Sequence, residues 1–392
     1  MKAFSGESVL PTDALVPTAA ETARTGRRRR PVETKSSDMR RSRTMDEQVL
    51  MDFVHKAVGD VGSLLAGSMV VIGDRLGLYR AMTGTGPVTS DELARATGTS
   101  ERYLREWLSA QAAAGYVRYA GDGHYELPEE HALPLTDETS PACVIGAFEV
   151  AVGAVQATDR IAEAFVTGEG MGWGDQHPHV HTGCERFFRP GYINFLTTNW
   201  IPSLDGVEAR LGQGIEVADV GCGHGASAVH MALAYPNSRF TGFDPHDPSI
   251  ETARKRAADA GVADRVKFEC ASAGSFTGSY DLIAFFDCLH DLGDPVGALQ
   301  SARAHLNDGG TVLLVEPMAG DRVEDNLNPV GAAYYALSTL LCTPNAISQE
   351  RQLVLGAQAG EARLRLAADQ AGLSQFRRVA ETPFNLVFEL RV

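Results

Sequence analysis

The chain has 392 residues, of which 44% are hydrophobic and 22% are charged, and its formal net charge is −15 at pH 7. This length suggests two or three domains at about 100 to 200 residues per domain, and the composition is globular, which excludes general disorder. An acidic surface repels the phosphate backbone of nucleic acids unless the basic residues are segregated on it.

Basic residues are concentrated at the N-terminus. Residues 1–45 hold ten Lys or Arg against five Asp or Glu, a local charge of +5, which leaves −20 for the rest of the chain. The segment has no apolar periodicity, so we predict a disordered basic tail. Such a tail could be a nucleic-acid or membrane tether, a targeting segment, or an extension without function. We favour the last, because no apolar core of a secretory signal follows the arginines.

Residues 46–139 carry the pattern of a winged helix. Apolar residues at helical spacing over 46–82 are followed by a helix capped by Thr89 or Ser90, by a second helix over 101–114, and by a hairpin. A winged helix that reads DNA needs net positive charge on the second helix, whereas the charges on this one balance. We therefore predict a structural domain that forms a homodimer and binds no nucleic acid.

The sequence also predicts a cytoplasmic protein without a membrane span. The longest uncharged apolar run, 61–73, is shorter than the roughly 20 residues that cross a bilayer. The six cysteines show no C-x-x-C pairing. In the absence of a signal sequence we expect them to be reduced thiols.

Residues 140–212 are predicted to be a helical linker and substrate-capping region, interrupted by a Gly- and His-rich stretch at 168–185. His177, His179 and His181 alternate there and could bind a metal, but few carboxylates are near, so we expect a capping loop and no metal site. The aromatic residues that follow could be interdomain packing or the wall of an apolar acceptor pocket. The candidate acceptor contacts are Trp173, His177, Phe187, Tyr192, Asn199 and Trp200.

Residues 213–392 alternate strand-like and helix-like runs. Alternation of this kind is typical of a parallel sheet that is covered by helices on both faces. The end of the chain differs, because residues 376–380 and 386–392 predict an antiparallel hairpin at the sheet edge. The predicted strands are 215–220, 239–243, 265–269, 281–286 and 311–315, and the predicted helices are 225–235, 249–260, 295–306 and 350–371.

A glycine-rich motif, V-A-D-V-G-C-G-H-G-A, begins at Val217 within the first of these strands and continues past its end. Such a turn lets the backbone approach a ligand beside the N-terminus of a helix. Its glycines also match the dinucleotide-binding pattern, which alone is weak evidence. Asp219, however, would repel a pyrophosphate and attract an ammonium group. The second strand ends at Asp244, a carboxylate in the place that binds ribose hydroxyls.

These residues resemble the class I S-adenosylmethionine-dependent methyltransferases. The glycine motif, the acidic residue after the second strand and the terminal hairpin match that family, so the resemblance implies a Rossmann-like, seven-stranded α/β fold with S-adenosyl-L-methionine as cofactor. A nicotinamide enzyme is the less favoured alternative. Ser272 stands where many members have an Asp that contacts adenine. The implied cofactor-binding residues are Asp219, Gly221, Cys222, Gly223, Gly225, Asp244, Pro245, Ser272, Ala273 and Asp287.

The segment L-H-D-x-x-D, which begins at Leu289, resembles the L-H-D-W-x-D segment of the winged-helix O-methyltransferases of secondary metabolism. The resemblance implies that His290 deprotonates the acceptor and that Glu316, at the end of the fifth strand, orients it. Leu292 replaces the family's Trp, and counting back to the family's second orienting Glu reaches Gln358. The histidine is therefore either a base, for which its usual pKa is suitable, or a structural or cofactor-pocket residue.

The sequence as a whole predicts a methyltransferase that acts on a small, largely apolar molecule, most simply on a hydroxyl, with a nitrogen acceptor as the alternative. Two other functions stay open. One is a winged-helix transcriptional regulator that senses S-adenosylmethionine. The other is an enzyme of the same fold that uses the bound cofactor for a reaction other than methylation.

Overall fold

The computed structural model describes residues 45–350 and 353–392, so the predicted basic tail lies outside the described residues except for Met45. The chain divides into two compact units, residues 1–53 and 54–392. What is described of the first unit is the start of one helix. The second unit holds the predicted regions from residue 54 onward, and the exact boundaries between these regions stay predictions.

The N-terminal part of the fold has the helices and the small sheet of a winged helix. A three-stranded sheet of order β1-β3-β2 packs with the helices. Thr89, rather than Ser90, caps the third helix: its side chain accepts a hydrogen bond from the Glu92 N–H, and the Glu92 carboxylate accepts one from the Thr89 N–H. The elements are α1 (Glu47–Arg75), α2 (Leu78–Met82), β1 (Val88–Thr89), α3 (Ser90–Thr97), α4 (Glu101–Ala113), β2 (Arg118–Gly121), β3 (His124–Glu126) and α5 (Glu129–Thr136).

Helix α1 exposes a row of apolar side chains within the second unit. Val58, Val61, Leu64 and Leu65 are 66%, 59%, 60% and 62% exposed. This helix is long and apolar enough to cross a membrane, judged by length and composition alone. The sequence indicated no membrane span, because the prediction considered only the uncharged run at 61–73. Length and composition are weak support for a span, because a helix that packs against protein passes the same test. Exposed apolar rows of this kind are typical of interaction surfaces.

The region between the two domains is helical, as predicted, but its interruption is shorter than expected. The last of the Gly- and His-rich residues belong to a helix that begins at Pro178, because Nδ1 of His177 accepts a hydrogen bond from the His179 N–H and proline suits the first helical position. A π-helix, Tyr192–Trp200, continues from it. The α-helices are α6 (Ile145–Ala154), α7 (Thr158–Thr167), α8 (Pro178–Gly191) and α9 (Val207–Gln213).

The C-terminal domain contains one seven-stranded sheet of order β6-β5-β4-β7-β8-β10-β9. The first five strands in sequence are parallel and the terminal hairpin is antiparallel, as predicted. The strands are β4 (Glu216–Val220), β5 (Arg239–Asp244), β6 (Val266–Cys270), β7 (Tyr280–Phe286), β8 (Leu306–Pro317), β9 (Gln375–Glu381) and β10 (Asn385–Arg391). The helices are α10 (Ala226–Ala234), α11 (Asp247–Asp259), α12 (Pro295–His305), α13 (Pro329–Leu337), α14 (Thr343–Ile347) and α15 (Gly360–Ala371).

The strand order determines where a ligand-binding crevice opens at the edge of the sheet. β4 lies between β5 and β7, so the connections that leave β4 and β7 run to opposite faces and open a gap at the carboxyl ends of these strands. Ligands bind at such a switch point in open α/β sheets. Two apolar cores, one on each face of the sheet, hold these strands rigid.

Two features of the C-terminal half differ from the prediction. The predicted helix over 350–371 begins only at Gly360. The region between β8 and this helix contains α13, a short π-helix at Ser338–Cys342, and α14. Because its apolar residues follow no single period, the sequence pattern did not indicate these elements.

Candidate functional site

The glycine-rich turn crosses the carboxyl end of β5. Gly221, Gly223 and Gly225 have φ of 78°, 50° and 72°, a region in which glycine is favoured. The N–H groups of Gly221 and Cys222 both donate to the Phe243 carbonyl, at 2.7 and 3.0 Å. A Cβ at Gly223 would meet no atom within 4 Å. The backbone of this turn therefore faces open space at Gly223.

The predicted cofactor residue Asp219 is buried beneath this turn. Its Oδ2 accepts a hydrogen bond of 2.5 Å from the Ser227 hydroxyl at the start of α10. Oδ1 is buried and has no hydrogen-bond partner among the described residues. Burial raises the pKa of this carboxyl to about 7, although the Ser227 bond opposes the shift. Oδ2 of Asp219 thus anchors the start of α10, a contact that the sequence did not indicate. Oδ1 remains available to a ligand.

Asp244 holds the glycine turn from β5. Its Oδ2 accepts from the Gly223 N–H at 3.0 Å and its Oδ1 from the His246 N–H at 2.9 Å. Burial raises the pKa of this carboxyl, and the two backbone hydrogen bonds lower it. A carboxylate has about four acceptor positions. Asp244 can therefore accept hydroxyl groups as well as the two N–H groups.

The other residues predicted on the cofactor side form the rim of this crevice. Ala271 donates its N–H to the Asp244 carbonyl at 3.2 Å, which brings the ends of β5 and β6 together. Ser272 is exposed and its hydroxyl lies 2.9 Å from that of Ser275. Pro245 is exposed and Ala273 is half-buried. Cys222 is buried, with its Sγ close to where a Cβ at Gly242 would lie.

Asp287 closes the crevice at the end of β7. Its φ of 49° is unusual for a residue other than glycine and indicates a backbone that its neighbours hold in place. Oδ1 accepts a hydrogen bond of 2.8 Å from the Asn385 amide on β10. Oδ2 is buried and has no partner in the described part of the chain.

These features fit S-adenosylmethionine, which brings an ammonium group, a sulfonium cation and two ribose hydroxyls. The open backbone at Gly223 leaves room for its amino-acid part. Unpaired carboxylate oxygens at Asp219 and Asp287 match its positive charges, and Asp244 matches the hydroxyls. An unpaired buried carboxylate oxygen is costly unless a ligand completes it.

His290 lies beside this crevice and is paired with Glu316. Its Nδ1 donates a hydrogen bond of 2.7 Å to Oε2 of Glu316, whose Oε1 accepts one of 3.0 Å from the Leu289 N–H. Both side chains are buried. Burial lowers the pKa of His290, but the charges of Asp291 and Glu316 outweigh it, so the pKa lies well above its usual value. The pairing predicted from sequence is present, and it leaves Nε2 for other contacts.

The second nitrogen of this histidine faces side chains that the sequence did not suggest. Oδ1 of Asp291 lies 3.3 Å from Nε2 of His290, and Cys342 joins the same cluster. Gln358, at the position of the family's second orienting carboxylate, donates to the Met318 carbonyl instead, at 3.2 Å. The only feature of the sequence that pointed to this cluster was that Asp291 directly follows His290. Nothing in the sequence placed Cys342 near His290, because Cys342 belongs to a π-helix that the sequence did not predict.

The Gly- and His-rich stretch covers the Asp244 side of the crevice. The ring of Trp173 lies 5.2 Å from that of His181, which in turn lies 4.6 Å from His246, the residue that donates to Asp244. His177 caps α8, and the Arg75 guanidinium lies 2.8 Å from Nδ1 of His179. The rings of His177 and His179 also lie 4.4 Å apart, whereas His181 packs between Trp173 and His246.

The remaining candidate acceptor contacts occupy different environments. Tyr192 is buried and packs on Phe286 at 5.3 Å, and burial together with the charges of Asp287 and Asp219 raises its pKa well above its usual value. Phe187 contacts Phe384 at 5.7 Å. Trp200 is a fully buried core residue and Asn199 is exposed. Acceptor contact stays a prediction for all of them, and the core position of Trp200 does not favour it.

The close packing of the glycine turn leads to a stability prediction. A Cβ at Gly225 would lie 2.5 Å from the Phe268 ring, whereas one at Gly261, which has a similar φ of 70°, would meet nothing within 4 Å. We expect Gly225→Ala to lower the free energy of unfolding by about 1 to 3 kcal/mol more than Gly261→Ala, because only the first adds overpacking to backbone strain. Urea unfolding of both variants measures this, and equal losses would contradict it.

Comparison with known proteins agrees with this architecture. Residues 65–137 match the Rv2258c-like winged HTH domain, and residues 218–312 match a methyltransferase domain. The 27-O-demethylrifamycin SV methyltransferase of Amycolatopsis mediterranei is 32% identical over 177 residues, which are 43% of this chain and 63% of that protein. The chain thus spans less than two thirds of that relative. Acetylserotonin O-methyltransferase of Mus musculus is 27% identical over 387 residues, 91% of each protein.

Solved structures resemble the chain over most of its length. The mitomycin 7-O-methyltransferase MmcR has a TM-score of 0.62 at 20% identity and covers 88% of this chain and 98% of its own. Human N-acetylserotonin methyltransferase, solved in complex with SAM, has a TM-score of 0.62 at 16% identity and covers 89% and 99%. At such identities the likeness shows the fold. Together with the two matched domains and the crevice, it shows an N-terminal winged-helix domain followed by a methyltransferase domain with the class I S-adenosylmethionine-dependent fold.

Proposed function

We propose that the protein transfers the methyl group to a hydroxyl of a small, largely apolar molecule, with His290 as the general base. The observation that carries this proposal is the buried pair of His290 and Glu316 beside the cofactor crevice. A histidine whose Nδ1–H is held by a carboxylate keeps Nε2 as the proton acceptor. Methyl transfer to a hydroxyl needs such a base and a fixed alignment of the reactants.

Each residue of the pair has a distinct task in this mechanism. S-adenosylmethionine, when bound, supplies an electrophilic methyl group on a sulfonium centre. His290 accepts the proton of the acceptor hydroxyl at Nε2, and Glu316 holds the ring and stabilises the imidazolium that forms. The charges of Asp291 and Glu316 raise the pKa of His290, so the ring acts as a base only in its neutral form. A cation on the crevice side, such as the sulfonium of the bound cofactor, favours that neutral form. The burial of the pair excludes water from the proton transfer.

An apolar acceptor is supported by the surroundings of the pair. An apolar cluster that includes Val150, Val180, Leu341 and Cys342 lies in the region between the cap and the C-terminal domain. Cys342 also belongs to the side-chain group around His290, so the cluster reaches the base. Ligand-binding sites are generally lined by apolar side chains of this kind, with a few polar groups that fix the orientation of the ligand. The names of the relatives given above refer to 27-O-demethylrifamycin SV, acetylserotonin and mitomycin, and we propose a small organic acceptor, such as a secondary metabolite, for this chain.

The test uses the full-length protein and S-adenosylmethionine with an isotope-labelled methyl group. After incubation with a metabolite extract, mass spectrometry should find a product that carries the labelled methyl, together with S-adenosylhomocysteine. Label on a hydroxyl oxygen supports the proposal. Label on nitrogen or carbon would refute the hydroxyl acceptor, and a converted product without label would indicate a reaction other than methylation.

The structure does not favour DNA binding by the winged helix. On α4, Arg105 pairs with Glu101 at 2.9 Å and Arg102 with Glu106 at 2.6 Å. Guanidinium groups that are paired on the same helix carry no net charge toward phosphate. A DNA-reading helix needs an unbalanced positive face. We therefore propose that the domain serves assembly rather than regulation of transcription.

We further propose that the protein is a homodimer through its N-terminal helical domain. The exposed apolar row of α1, which consists of Val58, Val61, Leu64 and Leu65, is the surface that supports it. Burial of this row against a second copy would remove apolar area from water at about 25 cal/mol per Å². A symmetric partner is the commonest solution for such a surface.

A charge in this row should separate the two copies. We expect Leu64→Glu to convert a species of twice 41.9 kDa into one of 41.9 kDa, because a buried carboxylate without a partner is unfavourable. Analytical ultracentrifugation measures the mass. Leu366→Glu, at a 57% exposed position of α15, is the matched control and should keep the wild-type mass. A wild-type monomer, or a dimer that survives Leu64→Glu, would contradict the proposal.

The proposal also places the enzyme in the cytoplasm. All six cysteines of the chain are free thiols, and thiols of this kind persist in a reducing compartment. The basic segment ahead of Met45 has no part in the proposal, since it lies outside the described residues.

A further inference from the structure

We propose that His290, Asp291 and Cys342 form a binding site for a soft divalent cation of the zinc class, and that a cation bound there inhibits methyl transfer. The binding site is independent of the proposed function. Its inhibitory effect rests on that function, because it assumes that Nε2 of His290 is the base.

The geometry of the three side chains is close to that of a metal site. One ligand atom from each residue lies within 4.8 Å of the other two. Nε2 of His290 is 3.3 Å from Oδ1 of Asp291. Ligand atoms of a tetrahedral zinc site are roughly 3.3 to 3.8 Å apart, given metal–ligand distances of about 2.0 to 2.3 Å. Small side-chain movements would therefore complete the coordination.

The types of ligand atom favour a soft cation over magnesium or calcium. Imidazole nitrogen, thiolate sulfur and carboxylate oxygen are the donors that zinc uses in proteins. Magnesium and calcium prefer oxygen donors alone. The hydrogen bond of 2.7 Å between Nδ1 of His290 and Glu316 directs Nε2 toward the site. A carboxylate behind a histidine ligand is a recurrent feature of zinc sites, where it orients the ring and raises its basicity.

The cluster also has an unmet need for positive charge. Oδ1 of Asp291 is buried and has no hydrogen-bond partner among the described residues. Among the residues that the structure describes, Asp291 and Glu316 form ion pairs with His290 only. One imidazolium cannot balance two carboxylates, and an excess of buried negative charge is unfavourable. A divalent cation at this place would neutralise it.

The backbone of Asp291 is held firmly enough to keep this arrangement. Its carbonyl accepts hydrogen bonds from the side-chain amides of Asn345, at 3.1 Å, and Gln349, at 2.9 Å. Cys342 ends the π-helix Ser338–Cys342, just before α14. Insertions of π-helix are frequent at functional sites. The fold thus brings Cys342 to two adjacent ligands, His290 and Asp291, that lie far earlier in the sequence.

Occupation of the site would be incompatible with the base. Three protein ligands leave a tetrahedral cation one open position, and the thiol proton of Cys342 would pass to solvent on coordination. The lone pair on Nε2 of His290 would then be shared with the cation and could not accept a proton from the acceptor. Zinc should therefore inhibit, and a chelator should restore activity.

Cobalt binding tests the site without any assay of turnover. Full-length protein treated with EDTA and then freed of it is titrated with Co²⁺. We expect one equivalent to bind, with a thiolate-to-cobalt charge-transfer band and the visible bands of tetrahedral cobalt, and Zn²⁺ to displace it. In Cys342→Ser the charge-transfer band should disappear and the affinity should fall at least tenfold, while Cys270→Ser, at an exposed thiol, should behave as wild type.

The outcomes are decisive for each half of the proposal. Failure of the wild type to bind one equivalent, or an unchanged charge-transfer band in Cys342→Ser, would refute the site. Cys342→Ala, checked by its melting temperature, separates loss of a ligand from loss of the fold. Activation by zinc, rather than inhibition reversed by EDTA, would refute the inhibitory effect. If no acceptor is methylated, the proposed function is refuted. The cobalt titration still tests the metal site, because it does not depend on turnover.

Discussion

Replacement of His290 by alanine is expected to lower the turnover number by about 10² to 10⁴, the range that a positioned general base contributes. The side chain that accepts the hydroxyl proton is lost, and water cannot substitute readily because the site is buried. The measurement is the rate of S-adenosylhomocysteine release with the acceptor identified by mass spectrometry, in the presence of EDTA. A rate close to that of wild type would assign the histidine to structure instead.

Two further variants distinguish a base from a residue that only supports the fold. Glu316→Gln should lower kcat and leave KM nearly unchanged, because Glu316 orients His290 and does not touch the acceptor. His305→Ala, on α12, removes a histidine whose Nδ1 contacts the Ser301 carbonyl, and should keep the wild-type rate. The affinity of His290→Ala for S-adenosylhomocysteine should also match wild type, which would show that the crevice is intact.

Replacement of Asp244 by alanine is expected to weaken the binding of S-adenosylhomocysteine by about a hundredfold. Hydrogen bonds to a charged acceptor contribute about 1.5 to 3 kcal/mol each, and the ribose offers two hydroxyls. The variant also removes the acceptor of the Gly223 N–H, so the glycine turn loses its support from β5. Isothermal titration calorimetry measures the dissociation constant directly and needs no methyl acceptor.

Matched variants make this result specific to the carboxylate. Asp244→Asn keeps one acceptor oxygen and should lose less affinity than Asp244→Ala. Glu269→Ala removes the same charge from an exposed position on the neighbouring strand β6, and should bind as wild type does. Wild-type affinity in Asp244→Ala would mean that the cofactor is held elsewhere in the crevice.

Local patterns in the sequence were sufficient for the architecture of the catalytic domain. The alternation of apolar runs predicted the parallel sheet, and the final pair of runs predicted the antiparallel hairpin, because strand burial imposes a continuous apolar pattern. The spacing of Asp219, the glycines and Asp244 matched the methyltransferase family, and that resemblance implied the cofactor. These residues lie at or just beyond the carboxyl ends of β4 and β5. Neighbours in the chain carry all of these signals.

The tertiary structure alone decided how the side chains are used. It tied one oxygen of Asp219 to α10, placed the capping stretch on the Asp244 side, and set Asp291 and Cys342 against the second nitrogen of His290. Cys342 is 52 residues from the histidine in a π-helix that has no simple period. Contacts between residues so far apart depend on how elements pack, and the pattern of a single segment does not contain that information.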